Sequence, residues 1–287
     1  NNGQICALSS RILAPASRYD EIVDAIAGLA KGLKVGSSLE KDTQIGPLAS
    51  SEHRARVESY IAVGKVEARL VAGGGRPKNV GDGWFVEPTV FADVSNSARI
   101  AQEEIFGPVL SVIKYRDEEE AVKIANDSDF GLGGTVWSSD SKRAQAIARR
   151  VQTGTIGVNG YMIDLASPFG GIKASGLGRE LGPESLAAYQ QLKSIYLPAG
   201  GERAGQGRPA GSQRCGPVVF RGGGANAGQK KPAGLAARRQ PSNPWVNPGR
   251  AARLAQSRQI CSVISDTGDA ARRMQRRSRF GAVIMVF

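Results

Sequence analysis

Short apolar segments alternate with amphipathic ones between residues 7 and 198, and this pattern constrains the fold more than any other feature of the sequence. Residues 11–14 are typical of a buried strand. The next stretch predicts a helix capped by Ser17, with an apolar face made of Ile22, Val23, Ile26 and Leu29. Similar strand and helix segments follow at 108–115 and 117–128, and again at 131–139 and 140–154. Strands that alternate with helices of about ten to fifteen residues form crossover units, so we predict an α/β fold with a largely parallel sheet and flanking helices.

The periodic pattern ends near Pro198, where the composition and the charge both change. Residues 201–287 hold 16 of the 38 Lys and Arg but only 3 of the 26 Asp and Glu, so the excess positive charge lies in this part of the chain. The Gly-, Ala- and Arg-rich stretch lacks spaced apolar side chains that would offset the cost of ordering it. We therefore predict a low-complexity basic tail over 199–287, disordered to about residue 258 and ending in a solvated apolar segment.

Two alternatives for this tail stay open. Clustered arginines suit an arm that binds nucleic acid or a charged surface, although aromatic residues are not interleaved with them. A shifted reading frame would also explain the Arg, Gly and Ala bias. We expect a soluble, cytoplasmic protein without a membrane partner, because no apolar run reaches the roughly 18 residues of a transmembrane helix. A nucleic-acid partner is not expected either, because the arginine clusters lack interleaved aromatic residues.

The sparse histidines and cysteines exclude two enzyme classes. His53 is the one histidine of the sequence, and its charged neighbours predict a surface position on a helix of residues 51–64. A hydrolase triad would depend on that residue alone. Cys6, Cys215 and Cys261 show no ligand spacing for zinc, so we expect no metal site.

Cys6 follows the polar stretch "NNGQI", and two interpretations of it compete. A single cysteine in a globular body is often a small buried side chain. However, the glycine permits a close backbone approach, and a short helical turn would present N–H groups that favour a thiolate and bind an oxyanion. By contrast, the glycines of "GLGRELG" (176–182) do not follow a strand in the dinucleotide-binding spacing, and loop geometry explains them better.

Three stretches of residues 1–198 carry a family resemblance. "GQICALSSR" (3–11), "QEEIFGPVLSV" (102–112) and "PFGGIKASGLGRELG" (168–182) occur in the order expected of the NAD(P)-dependent aldehyde dehydrogenase superfamily, which the chain resembles. The resemblance implies a catalytic domain over 1–182 and an oligomerisation segment over 183–198. It further implies NAD as cofactor, with NADP possible, an aldehyde as substrate, and a homo-oligomer in the full-length form.

The resemblance also implies roles for five residues. Cys6 matches the nucleophile that attacks the aldehyde, Glu104 the carboxylate that binds the nicotinamide ribose, and Phe106 the aromatic beside it. Phe169 matches an aromatic of the aldehyde pocket and Glu180 an acid of the proton relay. Taken singly, the same side chains have structural alternatives: core positions for the two phenylalanines, a solvated charge for Glu104 and an ion pair for Glu180.

Departures from the family pattern limit what this chain is expected to do. In the family, the dinucleotide-binding domain, the glutamate that activates water and the asparagine of the oxyanion hole lie upstream of the cysteine. We therefore expect a C-terminal catalytic fragment that is inactive by itself. The alternatives are a non-catalytic remnant and a nucleic-acid-binding protein that acts through its Arg-rich tail.

Overall fold

The structure, a computed structural model, describes residues 1–78, 80–196 and 282–286. The chain divides into two units, one of residues 1–185 with 247–287 and the other of residues 186–246. The described strands all belong to the first unit. Within the second unit, the described residues continue a 3₁₀ helix, Pro183–Tyr189, and then run without regular structure to Tyr196.

The described elements alternate along the chain much as the sequence pattern predicts. In chain order they are β1 (Arg11–Pro15), α1 (Tyr19–Gly32), α2 (Ser51–Glu67), β2 (Arg69–Ala72), β3 (Thr89–Ala92), α3 (Arg99–Gln102), β4 (Val109–Tyr115), α4 (Glu118–Asn126), β5 (Phe130–Gly131), β6 (Gly134–Trp137), α5 (Ser141–Ala148), β7 (Gly157–Val158), β8 (Ile172–Lys173) and β9 (Val283–Val286).

Seven of these strands form one sheet in the order β2-β3-β4-β1-β9-β6-β7, and β5 pairs with β8 separately. The pairs β3–β4, β4–β1 and β6–β7 are parallel. The antiparallel pairs of the seven-stranded sheet all involve β2 or β9, and the separate β5–β8 pair is antiparallel as well. The prediction of an α/β fold with a largely parallel sheet and flanking helices is therefore confirmed. The exceptions in this sheet are the edge strand β2 and the internal strand β9, which are antiparallel to their neighbours.

The internal strand β9 corrects the prediction for the end of the chain. We expected a solvated segment there, but 282–286 lie in the sheet, with Ile284 opposite Leu13 of β1 and Val136 of β6. Val283, Ile284 and Val286 are buried. A short apolar segment is stable in this position because both neighbouring strands would otherwise expose unpaired edges. The rest of the predicted tail, 199–281 and Phe287, lies outside the described residues.

The core lies on both faces of the sheet. On one face, the apolar stripe of α1 packs against β1, β3 and β4, and its residues Ile22, Val23 and Ile26 are buried as predicted, while Leu29 is half-buried. On the other face, side chains of α2, α3, α4 and α5 form a second cluster around Leu13, Phe91 and Ile113. Burying such side chains stabilises the fold by about 1.5–3 kcal/mol each.

The predicted start of α1 differs from the structure. Ser17 lies inside a 3₁₀ turn, Ala16–Arg18, and the residue at the N-cap is Arg18, which makes no side-chain capping bond. The 3₁₀ turn shifts the start of the helix past the serine, so the capping prediction is wrong. α2 has the expected kind of cap, because the Ser50 side chain accepts a hydrogen bond from His53 N–H at 3.1 Å.

Among the described residues, no helix has the length and apolar character needed to cross a bilayer. The same part of the chain contains no cluster of side chains that would hold a metal ion.

Candidate active site

Residues 1–8, which we call the thiol turn, form two consecutive tight turns, and Cys6 lies in the second. Gln4 N–H donates to Asn1 C=O at 2.8 Å, and Leu8 N–H donates to Ile5 C=O at 3.2 Å. The helical turn expected at Cys6 is therefore the single hydrogen-bonded turn of residues 5–8, and no helix follows it. The Cys6 side chain is exposed, which favours a reactive thiol over a buried packing residue.

Two amide side chains fix the thiol turn to the segment 46–49. Asn2 donates from Nδ2 to Pro47 C=O at 3.1 Å and accepts from Gly46 N–H at 3.1 Å through Oδ1. Gln4 accepts from Ala49 N–H at 3.0 Å. Asn2 is buried and adopts a left-handed backbone conformation, with φ at 57°. Nothing in the local sequence predicts these partners, which lie more than 40 residues away.

Gly3 brings the thiol turn against the backbone of a second segment, residues 103–108, which we call the carboxylate loop. A Cβ atom at Gly3 would lie 1.9 Å from the carbonyl oxygen of Gly107, and φ of Gly3 is 75°. Only glycine satisfies both conditions without displacement of one segment. The close backbone approach predicted for this glycine is confirmed.

Helix α2 binds the carboxylate loop from its other side. His53 Nε2 lies 2.8 Å from Phe106 C=O, and Arg56 donates to Ile105 C=O at 2.8 Å and to Glu104 C=O at 2.5 Å. Because a carbonyl can only accept, the bond to Phe106 requires Nε2 of His53 to carry the proton. His53 is half-buried and its ring stacks on Phe106 at 6.1 Å between centroids, so the prediction of a surface side chain is corrected.

Tyr60 completes this face of α2. Its hydroxyl donates to Glu103 Oε2 at 2.7 Å, and Arg56 and Arg99 each lie 5.2 Å from its ring centroid. The hydrogen bond from Arg99, followed by that from Tyr60, lowers the pKa of Glu103 below its usual value. Burial, followed by the bond to Glu103, raises the pKa of Tyr60. Both shifts favour a neutral phenol that donates to a carboxylate, and this contact weakens as the pH falls through the lowered pKa of Glu103.

A cavity of about 320 Å³ lies between the thiol turn and the carboxylate loop. Cys6, Glu104 and Phe106 all line it, together with apolar side chains of α1 such as Leu29. Glu104 is exposed and Phe106 is half-buried, with its φ at 61°. The structure therefore brings three of the five predicted site residues to one cavity, although Cys6 is 98 and 100 positions from the other two in sequence.

The other two predicted residues pair with each other. Phe169 N–H donates to Glu180 C=O, and Glu180 N–H donates to Phe169 C=O, both at 2.7 Å. Neither Phe169 nor Glu180 is among the described residues that line the cavity. Ala174 and Ser175, which belong to the same segment, do line it. Gly176, Gly178 and Gly182 have positive φ angles, which agrees with the loop-geometry interpretation of "GLGRELG".

Arg11, the arginine five positions after Cys6, is a buried structural residue. Its guanidinium donates to Asn96 Oδ1 at 2.8 Å and to the carbonyls of Ile124 and Ala125 at the end of α4. Burial, partly opposed by Asp127, lowers its pKa to about 10, which leaves it charged at neutral pH. Arg11 therefore fixes the strand that follows the thiol turn against α4.

This α/β architecture, with a cysteine and a carboxylate at one cavity, has clear relatives. The model of the aldehyde dehydrogenase family matches residues 1–195, and the chain belongs to that family. It is 64% identical over 197 residues to the geranial dehydrogenase of Castellaniella defragrans, covering 69% of this chain and 41% of that protein. It is 41% identical over 198 residues to the betaine aldehyde dehydrogenase of Bacillus subtilis, covering 68% and 40%.

Solved structures agree with this assignment. An aldehyde dehydrogenase of Mycobacterium tuberculosis, crystallised with NAD⁺, superposes with a TM-score of 0.68 at 53% identity, covering 70% of this chain and 42% of that one. A betaine aldehyde dehydrogenase of Staphylococcus aureus in complex with NAD⁺ has a TM-score of 0.64 at 43% identity, covering 66% and 38%. The chain thus spans about two fifths of the length of its relatives.

Proposed function

We propose that this chain carries the thiol-bearing part of an NAD(P)-dependent aldehyde dehydrogenase, with Cys6 as the nucleophile. The observation that carries the proposal is the shared cavity: an exposed thiol, the carboxylate of Glu104 and the ring of Phe106 line one space whose walls touch through Gly3 and Gly107. Relatives that are named as aldehyde dehydrogenases over the same residues support it.

The proposed chemistry begins at the sulfur of Cys6. The thiolate attacks the aldehyde carbon, a C–S bond forms, and the carbonyl electron pair moves to oxygen, where the N–H of Cys6 stabilises the oxyanion. A nicotinamide cofactor held by Glu104 and Phe106 would supply the hydride acceptor that oxidation of this adduct on Cys6 requires. The product is a thioester on Cys6, which water hydrolyses to release the acid and regenerate the thiol.

The residues present fit a nicotinamide cofactor on one wall of the cavity. The exposed carboxylate of Glu104 offers two acceptor oxygens for the ribose hydroxyls, and the half-exposed ring of Phe106 offers a flat apolar surface beside it. Glu104 and Phe106 would hold and orient the group, NAD being the favoured form. Phe169 as an aldehyde-pocket residue and Glu180 as a proton-relay acid stay predictions on family grounds.

We also propose that the full-length form assembles into a homo-oligomer through the segment 183–198. Its described part exposes large apolar side chains: Leu186, Tyr189, Leu192, Ile195 and Tyr196. Such a series favours burial against a partner. A cytoplasmic location stays a prediction, and no observation on the described residues favours the nucleic-acid alternative.

Selective alkylation of Cys6 tests the proposed nucleophile. The 287-residue chain is exposed briefly to iodoacetamide, and the label is located by mass spectrometry. We expect Cys6 to react faster than Cys215 and Cys261, because the thiol turn presents it in a fixed, exposed position. A Cys6→Ser variant confirms the assignment of the labelled peptide, and preferential labelling of Cys215 or Cys261 in the parent would contradict the proposal.

A further inference from the structure

One face of α2 binds four consecutive residues of the carboxylate loop. His53, Arg56 and Tyr60, which we call the α2 clamp, are three and four positions apart and therefore lie on the same side of the helix. Their partners are the Phe106 carbonyl, the Ile105 and Glu104 carbonyls, and the Glu103 carboxylate, at 2.5 to 2.8 Å.

The bonds from α2 pair backbone carbonyls of the carboxylate loop that lie outside regular secondary structure. Residues 103–107 belong to neither a helix nor a strand, so a regular ladder does not bind their carbonyls. Phe106 adopts a left-handed conformation, which costs about 1 kcal/mol or more for a residue with a Cβ atom. The bonds from the guanidinium of Arg56 are charge-assisted, which makes them stronger than neutral ones.

The position of the carboxylate loop in turn fixes that of the thiol turn. Gly107 C=O lies so close to Gly3 that a Cβ atom there would be 1.9 Å from its oxygen, so neither backbone can move towards the other without displacing it. The segment that leads into α2 binds the same turn, since Pro47 and Ala49 are the partners of Asn2 and Gln4. Helix α2 and its entry segment therefore contact both walls of the cavity.

We propose that His53 and Arg56 are positioning residues, which set the separation and orientation of Cys6, Glu104 and Phe106 through backbone carbonyls without touching the substrate. The catalytic importance of this clamp rests on the proposed function. Its effect on the mobility of the thiol turn and the carboxylate loop does not depend on catalysis and can be measured in the 287-residue chain.

Substitutions in the full chain test the clamp. His53→Leu and Arg56→Met remove the donors, and we expect amide hydrogen exchange at 103–108 and 1–8 to become about three- to ten-fold faster, the range expected for loss of one or two net hydrogen bonds. The ratio of Cys6 labelling to Cys215 labelling should fall in parallel. His53→Gln keeps a donor at a similar reach, so it should restore both readouts to within about two-fold of the parent.

Arg54→Met is the matched control. Arg54 lies on the same helix and also donates to a loop carbonyl, Gly83 C=O at 3.0 Å, but that loop does not line the cavity. Its loss should leave exchange at 1–8 and 103–108 unchanged. Arg56→Lys, which keeps the charge and one donor, provides a folded comparison if Arg56→Met is unstable.

The outcomes separate the two proposals. Unchanged exchange in the His53→Leu and Arg56→Met chains, or an equal effect of Arg54→Met, would overturn the clamp. Failure of His53→Gln to restore the parent behaviour would also overturn it, because the role would then be general stability. If the parent labels Cys6 no faster than Cys215, the proposed nucleophile fails, and the exchange result still decides the clamp.

Discussion

Cys6 owes its position to small and polar neighbours rather than to contacts of its own. Asn2 and Gln4 bind the 46–49 segment, and Gly3 meets Gly107, so the residues just before the thiol are fixed on two sides. The thiol itself stays exposed at the cavity. A nucleophile needs this combination of fixed backbone and accessible sulfur, because misplacement by about 1 Å costs about a hundred-fold in rate.

Substitution of Gly3 should separate the contribution of the Gly3–Gly107 contact to stability from the effect of glycine on backbone entropy. In Gly3→Ala, the new methyl group overlaps the Gly107 carbonyl and the residue keeps a left-handed φ, so we expect a loss of about 1–3 kcal/mol in unfolding free energy. Cys6 alkylation should slow in the same variant. Urea unfolding and timed labelling provide the two measurements.

Gly28→Ala is the control for that substitution. Gly28 lies in α1, and a Cβ atom there meets nothing within 4 Å. Alanine should therefore be neutral or stabilise the helix by up to about 1 kcal/mol. Equal effects of the two substitutions would show that the contact between Gly3 and Gly107 is unimportant.

The contact between His53 and Phe106 shows that residue type and sequence neighbours do not determine which tertiary contacts a side chain makes. Charged neighbours in the sequence predicted a surface histidine, yet the ring binds the Phe106 carbonyl 53 positions away. The i, i+3, i+7 spacing of His53, Arg56 and Tyr60 was visible in the sequence and predicts a common helix face. What that face contacts depends on where α2 packs, which the spacing does not contain.

At the scale of elements, β9 is the segment whose structure differs most from its expected state. All four of its residues pair with β6, and the last three also pair with β1. Tyr115 Oη of β4 donates to the Ala282 carbonyl beside the strand. Burial of that hydroxyl raises the pKa of Tyr115 to about 12. The strand therefore joins the two parallel parts of the sheet, β3–β4–β1 and β6–β7.

Ile284→Asp should destabilise the sheet at this junction. Ile284 is 1% exposed between Leu13 and Val136, and a carboxylate there has no described polar side chain opposite it. We expect a loss of about 3–5 kcal/mol or release of β9, since an uncompensated buried charge is strongly unfavourable. Amide exchange should then become faster along β1 and β6.

Ile284→Val is the conservative counterpart, with an expected cost of about 1 kcal/mol because it removes one buried methyl group. Urea unfolding of the parent and both variants gives the comparison. Identical unfolding curves and identical exchange at Leu13 and Val136 would mean that the segment is not part of the sheet.

At the scale of the whole molecule, the expected activity depends on how much of the length of its relatives this chain covers. The chain aligns with 40–41% of the length of the two curated relatives described above. The family resemblance implies that residues upstream of the cysteine bind the dinucleotide and activate water. Loss of a general base alone costs about 10²- to 10⁴-fold. Under the proposed function, the 287-residue chain would supply the thiol of Cys6 and one wall of a cofactor site, without these upstream groups.

We predict that the purified 287-residue chain reduces no NAD with an aldehyde above background. A chimera that joins the upstream part of the Castellaniella defragrans geranial dehydrogenase to residues 1–287 should reduce it, because the two proteins are 64% identical over the shared part. NADH absorbance provides the measurement. The chimera carrying Cys6→Ser should be inactive, and equal activity with serine would refute the nucleophile.

Local pattern determined much of this protein by itself. The alternation of apolar segments predicted β1, α1, β4 and the α/β class, because period and turn chemistry act between neighbours in sequence. The stretches around Cys6, Glu104 and Phe106 sufficed to indicate the family. These features depend on contacts between residues a few positions apart, or on motifs that are contiguous in the sequence.

Only the tertiary structure decided which distant groups meet. It placed 282–286 inside the sheet, brought the Phe106 carbonyl to His53, and set Gly3 against Gly107 while Phe169 and Glu180 paired elsewhere. Each of these contacts joins segments whose separation along the chain exceeds the reach of local periodicity. Their geometry follows from how helices and strands pack into one core, where the fit of side chains and backbone is settled jointly.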